Sequence, residues 1–94
     1  MPFELQFLPS ALKEWHKLGE TLRAQFKKKL AERLLTPRVE ADKLRDADLK
    51  DCYKIELRAS GYRLVYRVDD TEITVTVVAV GKRERSAVYG AAKR

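Results

Sequence analysis

The stretch that decides the fold is Cys52-Tyr53-Lys54-Ile55-Glu56-Leu57-Arg58-Ala59-Ser60-Gly61-Tyr62-Arg63-Leu64-Val65-Tyr66-Arg67-Val68. Apolar and charged residues alternate on both sides of Ser60-Gly61, the period of two that marks half-buried strands joined by a hairpin. With Ser60-Gly61 as a two-residue turn, Ala59 pairs with Tyr62. The register then predicts Arg58 opposite Arg63, Glu56 opposite Val65 and Lys54 opposite Arg67, all on one face. The other face takes Leu57 with Leu64, Ile55 with Tyr66 and Tyr53 with Val68, an apolar surface for packing. The charged face is unusual, because like charges directly across a ladder cost about 0.2–1 kcal/mol per pair without a compensating anion. One reading is a solvated exterior of long side chains; the sharper one is a seat for phosphate.

Downstream, Asp69-Asp70-Thr71 leads into a further strand-like run, so segments 52–58, 62–69 and 72–80 predict an antiparallel meander. Gly81 then permits a change of direction before Lys82-Arg83-Glu84-Arg85. This lets Arg83 turn toward the charged face, while Tyr89 offers a ring for stacking an unpaired base. Upstream, residues 36–51 mix Pro37 with many charges, including Asp46, Asp48 and Asp51, and read as a connecting loop.

At the N-terminus Phe3, Leu5 and Phe7 alternate with polar residues, a strand that ends at Pro9. Ser10 is expected to cap a helix that buries Leu8, Ala11, Leu12, Trp15 and Leu18, stops at Gly19, and exposes Lys13, Glu14, His16 and Lys17. Trp15 fits the core better than a base-stacking platform. A second helix from Glu20 or Thr21 to Leu35 buries Leu22, Phe26, Leu30 and Leu34 and is ended by Pro37. Its outer face is expected to carry Arg23, Lys27, Lys28 and Arg33, as a solvated surface or an RNA-facing one. The elements predict an α+β fold over residues 1–94 as a single domain. An N-terminal strand and a two-helix hairpin pack on one face of a small four-stranded, largely antiparallel sheet, and a short helical segment follows at the C-terminus.

Composition narrows the function. The 94 residues suit one domain and one site. Net charge is +6, made of 11 Lys/Arg against 9 Asp/Glu in residues 1–51 and 9 against 5 in residues 52–94. Such an excess favours polyanionic partners, either nucleic acid or an acidic protein. Cys52 is the sole cysteine, which excludes an internal disulfide and argues against a structural zinc. His16 is the sole histidine, so a two-histidine ribonuclease mechanism has no residues to run on. Glu4 and the lack of a long apolar run argue against a signal peptide or membrane span, so the cytoplasm is expected.

The chain resembles the RelE toxins of bacterial toxin–antitoxin pairs. The likeness runs through Ala11-Leu12-Lys13-Glu14-Trp15 to Leu18-Gly19, Lys27-Lys28-Lys29-Leu30, Cys52-Tyr53-Lys54-Ile55 with Leu57-Arg58, Gly61-Tyr62-Arg63-Leu64-Val65-Tyr66, and Val80-Gly81-Lys82-Arg83-Glu84-Arg85-Ser86 with Val88-Tyr89. It implies a ribosome-dependent endoribonuclease, needing no metal or cofactor, that cuts mRNA in the decoding site. The RNA's own 2′-hydroxyl attacks the adjacent phosphate and a 5′-hydroxyl leaves. By position, Arg63 would stabilise the phosphate, Arg83 would serve the leaving oxygen, Tyr89 would orient a base and Lys54 would hold phosphate. Where the family places a lysine proposed as general base, this chain has Glu56, so the proton acceptor is either Glu56 or Lys54. Lys13, Lys17, Arg23, Lys27, Lys28, Arg45, Arg58, Arg67, Lys82 and Arg85 are expected to face RNA or ribosome. The implied partners are a cognate acidic antitoxin and the 70S ribosome with its mRNA and 16S rRNA, with no membrane. Two other readings stay open: a gyrase poison of the ParE type, and an RNA- or ribosome-binding module without catalysis.

Overall fold

Strand β1 (Glu4–Phe7) leads into helices α1 (Pro9–His16) and α2 (Glu20–Leu35), and strands β2 (Cys52–Leu57), β3 (Tyr62–Asp69) and β4 (Thr74–Lys82) follow. Two short 3-10 turns, Glu40–Asp42 and Ala47–Leu49, shape the connection between α2 and β2. This is a computed structural model and describes residues 2–82. The four strands form one sheet in the order β1-β4-β3-β2. The pairs β2–β3 and β3–β4 are antiparallel, and β1 lies parallel to β4, with Leu5 beside Val75 and Phe7 beside Val77. The α+β arrangement is the expected one.

Both helices pack on one sheet face. Ala11, Trp15, Leu18, Phe26 and Leu30 meet Tyr53, Ile55, Leu57, Leu64, Tyr66, Val68, Val75, Val77 and Val80 in the main core. The period-two reading therefore assigned the apolar face of β2 and β3 correctly. Trp15 is buried between Phe7 and Phe26, with ring centroids 5.3 and 6.2 Å away. Leu12, expected in the stripe, is exposed.

Helix starts differ from expectation. Ser10 is not a cap: Leu8 occupies that position in extended conformation, and Pro9 takes the first helical position, where its missing N–H is one the helix cannot use anyway. Gly19 precedes α2 as its N-cap instead of stopping α1. The last carbonyls of α1 and its turn are met by Arg23, whose Nη1 donates to Leu18 O at 2.9 Å and His16 O at 3.3 Å.

The opposite sheet face carries its own apolar cluster, absent from the sequence reading. Leu49, from the second 3-10 turn, packs on Cys52, Val65, Val78 and Ala79. A β-bulge helps: Val65 pairs with Ala79 and Tyr66 with Val77, so Val78 is the extra residue, and both Val78 and Ala79 join this cluster.

Candidate nucleic-acid site on the outer sheet face

The hairpin register places Glu56 opposite Arg63, Ile55 opposite Leu64, Lys54 opposite Val65 and Cys52 opposite Arg67. The expected opposition of Arg58 with Arg63 and of Lys54 with Arg67 is thus wrong by two residues. A two-residue turn on Ser60-Gly61 needs a left-handed or glycine residue at its first central position, which Ser60 does not supply. The chain instead closes a longer turn over residues 58–61. Gly61 takes the left-handed conformation at φ 76°, and its N–H donates to Leu57 O at 2.9 Å. A slip of two keeps every side chain on its face and changes only its neighbours. Here it replaces like-charge oppositions with an opposite-charge one.

Arg63 lies deep for an arginine, its side chain 9% exposed. Its Nη2 donates to Glu56 Oε2 at 2.7 Å, and Lys54 Nζ sits 3.7 Å from Glu56 Oε1. Burial works to raise the Glu56 pKa, but the hydrogen bond and charge of Arg63, with the charges of Lys54 and Arg58, outweigh it and hold the carboxyl below its ordinary value. Beyond Arg63 in the same cross-strand row stands Gly81. Among the described residues, a Cβ there would meet nothing within 4 Å. Exposed Lys82 follows.

Other expected cations divide between this centre and elsewhere. Arg58, exposed on the hairpin turn, joins Lys28 and Glu56 in lining a groove of about 750 Å³ between α2 and the end of β2. Arg67 is on the same face but four residues along β3 from Arg63, roughly 13 Å, with buried Val65 between them. Its neighbours are Gln6, Asp69, Glu72, Thr74 and Thr76. Lys27 borders a small apolar hollow between α2 and β1; Lys13 is exposed on α1 and Lys17 is exposed just after its end. Arg45 is exposed and 3.7 Å from Glu40, while Arg23 serves the helix carbonyls already described. Arg83, Arg85, Tyr89 and the expected C-terminal helical segment lie outside the described residues.

Arg33 is a correction. Expected on the outer face of α2, it instead pairs with Asp42 at 2.6 Å and donates to Tyr66 Oη at 2.9 Å and to the carbonyl of Lys54 at 3.1 Å. Tyr66 in turn donates to Pro37 O at 2.6 Å. The signal was present in the spacing: Arg33 is three residues from Leu30 and seven from Phe26, on the buried stripe itself. Arg38 likewise binds Asp70 at 2.6 Å, Asp51 at 3.2 Å and Tyr53 Oη at 3.1 Å, tying the loop to both ends of the hairpin. Among the described residues no group of three His, Cys, Asp or Glu converges to hold a metal, and no helix is long and apolar enough to cross a membrane.

A small α+β domain of this sequence and fold matches one class of known proteins. The family model for the ParE toxin of type II toxin–antitoxin systems matches residues 5–87. The mRNA interferase toxin RelE of Escherichia coli strain K12 is 60% identical over 92 residues, covering 98% of this chain and 95% of that protein. Among solved structures, a double mutant of E. coli RelE in the free state superimposes with a TM-score of 0.89 at 58% identity, covering 98% of this chain and 95% of the other. The toxin in the intact E. coli RelBE toxin–antitoxin complex gives 0.83 at 59% identity, covering 88% and 99%. The chain belongs to the RelE toxins, within the ParE toxin family of type II toxin–antitoxin systems.

Proposed function

We propose that the protein is a ribosome-dependent endoribonuclease that cleaves mRNA in the ribosomal A site, halts translation in the cytoplasm, and is neutralised by a cognate acidic antitoxin. The whole chain, 1–94, would act as one toxin domain. The observation that carries this reading is the buried Arg63, joined through Glu56 to Lys54 on the outer sheet face, in a chain 60% identical to an mRNA interferase. The chemistry asks little beyond orientation and charge. An attacking and a leaving oxygen held in line about a phosphate gain most from positioning and from cations already in place. Arginine serves well, because its fork donates two hydrogen bonds to phosphate oxygens and stays charged.

In the proposed reaction the RNA 2′-oxygen bonds to phosphorus and the bond to the 5′-oxygen breaks. Arg63 stabilises the charge on the phosphate, Arg83 serves the departing oxygen, and Tyr89 stacks on and orients a base. Glu56, with one oxygen on Arg63 and the other near Lys54, fits an ion-pair partner better than a base. We assign acceptance of the 2′-hydroxyl proton to Lys54.

The test has three arms: purified protein with mRNA on translating ribosomes, with the same mRNA naked, and with DNA gyrase. The expected result is cleavage within the A-site codon on ribosomes, intact naked RNA and undisturbed supercoiling. Ribosome binding with unbroken mRNA would sink the enzymatic claim in favour of a binding module. Inhibited gyrase with intact mRNA would favour the ParE-type reading.

A further inference from the structure

Arg63 already holds an anion. Its guanidinium grips Glu56 Oε2 at 2.7 Å, and the second oxygen of the same carboxylate faces Lys54 Nζ at 3.7 Å. One carboxylate thus sits between Arg63, assigned above to phosphate, and Lys54. To an arginine fork, a carboxylate and a phosphate present the same thing, paired oxygens sharing negative charge. We propose that Glu56 is an internal stand-in for the RNA phosphate, holding Arg63 and Lys54 in alignment and ceding Arg63 when a phosphate enters. The inference rests on reading Arg63 as the phosphate seat. On this account Glu56 is a positioning residue.

The surroundings give the displaced carboxylate somewhere to go. Glu56 is 23% exposed where Arg63 is 9%, so the acid and not the arginine is the free end of the pair. It also lines the groove that α2 makes with the end of β2, where Lys28, Lys29 and Arg58 supply cations. A swing from the sheet face into that groove exchanges one set of positive neighbours for another. The cost of desolvating a lone charge is avoided.

Competition by an attached carboxylate weakens binding of free anions and has a pH signature. The groups facing Glu56 are Lys54, Arg58 and Arg63 from the hairpin, and Lys28, Lys29 and Glu32 from α2. Protonation of Glu56 removes the competitor, so an anion that does not itself titrate binds more tightly as pH falls through the carboxyl's value.

Inorganic sulfate, doubly charged across this range, is the probe. Its binding is followed through the arginine Nε–Hε resonances at constant ionic strength, in the wild type, Glu56→Gln, Arg63→Gln and the double variant. Glu56→Gln should bind sulfate on the order of tenfold more tightly than wild type, and the gain should vanish when Arg63 is also replaced. Equal affinity of wild type and Glu56→Gln overturns the inference. So does a gain of the same size without Arg63, which marks general charge repulsion. A different failure, sulfate affinity indifferent to Arg63 in every background, removes the phosphate seat itself. Should a variant not fold, the wild type alone decides: sulfate affinity must rise as pH is lowered from about 6 to about 3.5, and a flat or falling profile overturns the proposal.

Discussion

Arg63 and Glu56 illustrate how much one turn residue controls. The alternation in residues 52–68 was enough to put both on the charged face, but their partnership depends on where Gly61 adopts its positive φ, a backbone choice that composition does not report. The pair has a consequence for stability against pH. Because the folded Glu56 pKa is depressed, the unfolded chain takes up the proton first as pH drops. The contribution is fully present above the ordinary carboxyl value, about 4.3, and is lost as pH falls through the folded value. Glu56→Gln should therefore be less stable than wild type at neutral pH, with the gap closing in denaturant titrations as pH falls through the folded carboxyl's value; a gap independent of pH would show the carboxylate to be idle. For the arginine, Arg63→Ala should lower single-turnover mRNA cleavage by roughly 100- to 1,000-fold. Arg63→Lys should recover little of this, since a point charge does not replace a fork. Wild-type rates in the lysine variant would count against bidentate phosphate binding.

At the level of elements, the helices and strands were legible because their periods differ, 3.6 against 2, and each was sustained. The connection between α2 and β2 was not. Read as a charged loop, it hides Leu49 among Asp46, Asp48 and Asp51, yet that leucine is 3% exposed and closes the second cluster over Cys52 and Val65. A lone leucine in an acidic run has no period to betray it. Leu49→Ala should destabilise the protein by about 2–3 kcal/mol, seen as a lowered denaturation midpoint; an unchanged midpoint would mean the outer cluster is dispensable. Arg33 was misplaced for a different reason, since a charged residue on a buried stripe is read as solvent-facing unless its partners are known. Its bonds to Asp42, Tyr66 and the Lys54 carbonyl join α2, the loop and both strands of the hairpin. Arg33→Met, which keeps much of the volume, should cost about 1–3 kcal/mol through the orphaned acceptors. Thermal unfolding checks this, and a variant as stable as wild type would contradict it.

At the scale of the molecule, the helices cover the inner face of the hairpin and the main cations of the site stand on the outer one. Helices bury the inner face, Leu49 and its neighbours seal one end of the outer face, and Arg63, Lys54 and Glu56 occupy the other end next to Gly81. The net charge of +6 pointed to an anionic partner, but charge alone does not tell a binding surface from a reaction centre. That distinction came from resemblance in the motifs and from the burial of Arg63. The most direct measurement is end mapping of mRNA recovered from ribosomes stalled with a defined codon in the A site, after exposure to the purified protein. The account predicts a break within that codon that leaves a 5′-hydroxyl on the downstream fragment and a 2′,3′-cyclic phosphate on the upstream one, absent with Arg63→Ala. Breaks scattered along the message, a 5′-phosphate at the cut, or the same break with Arg63→Ala would contradict it.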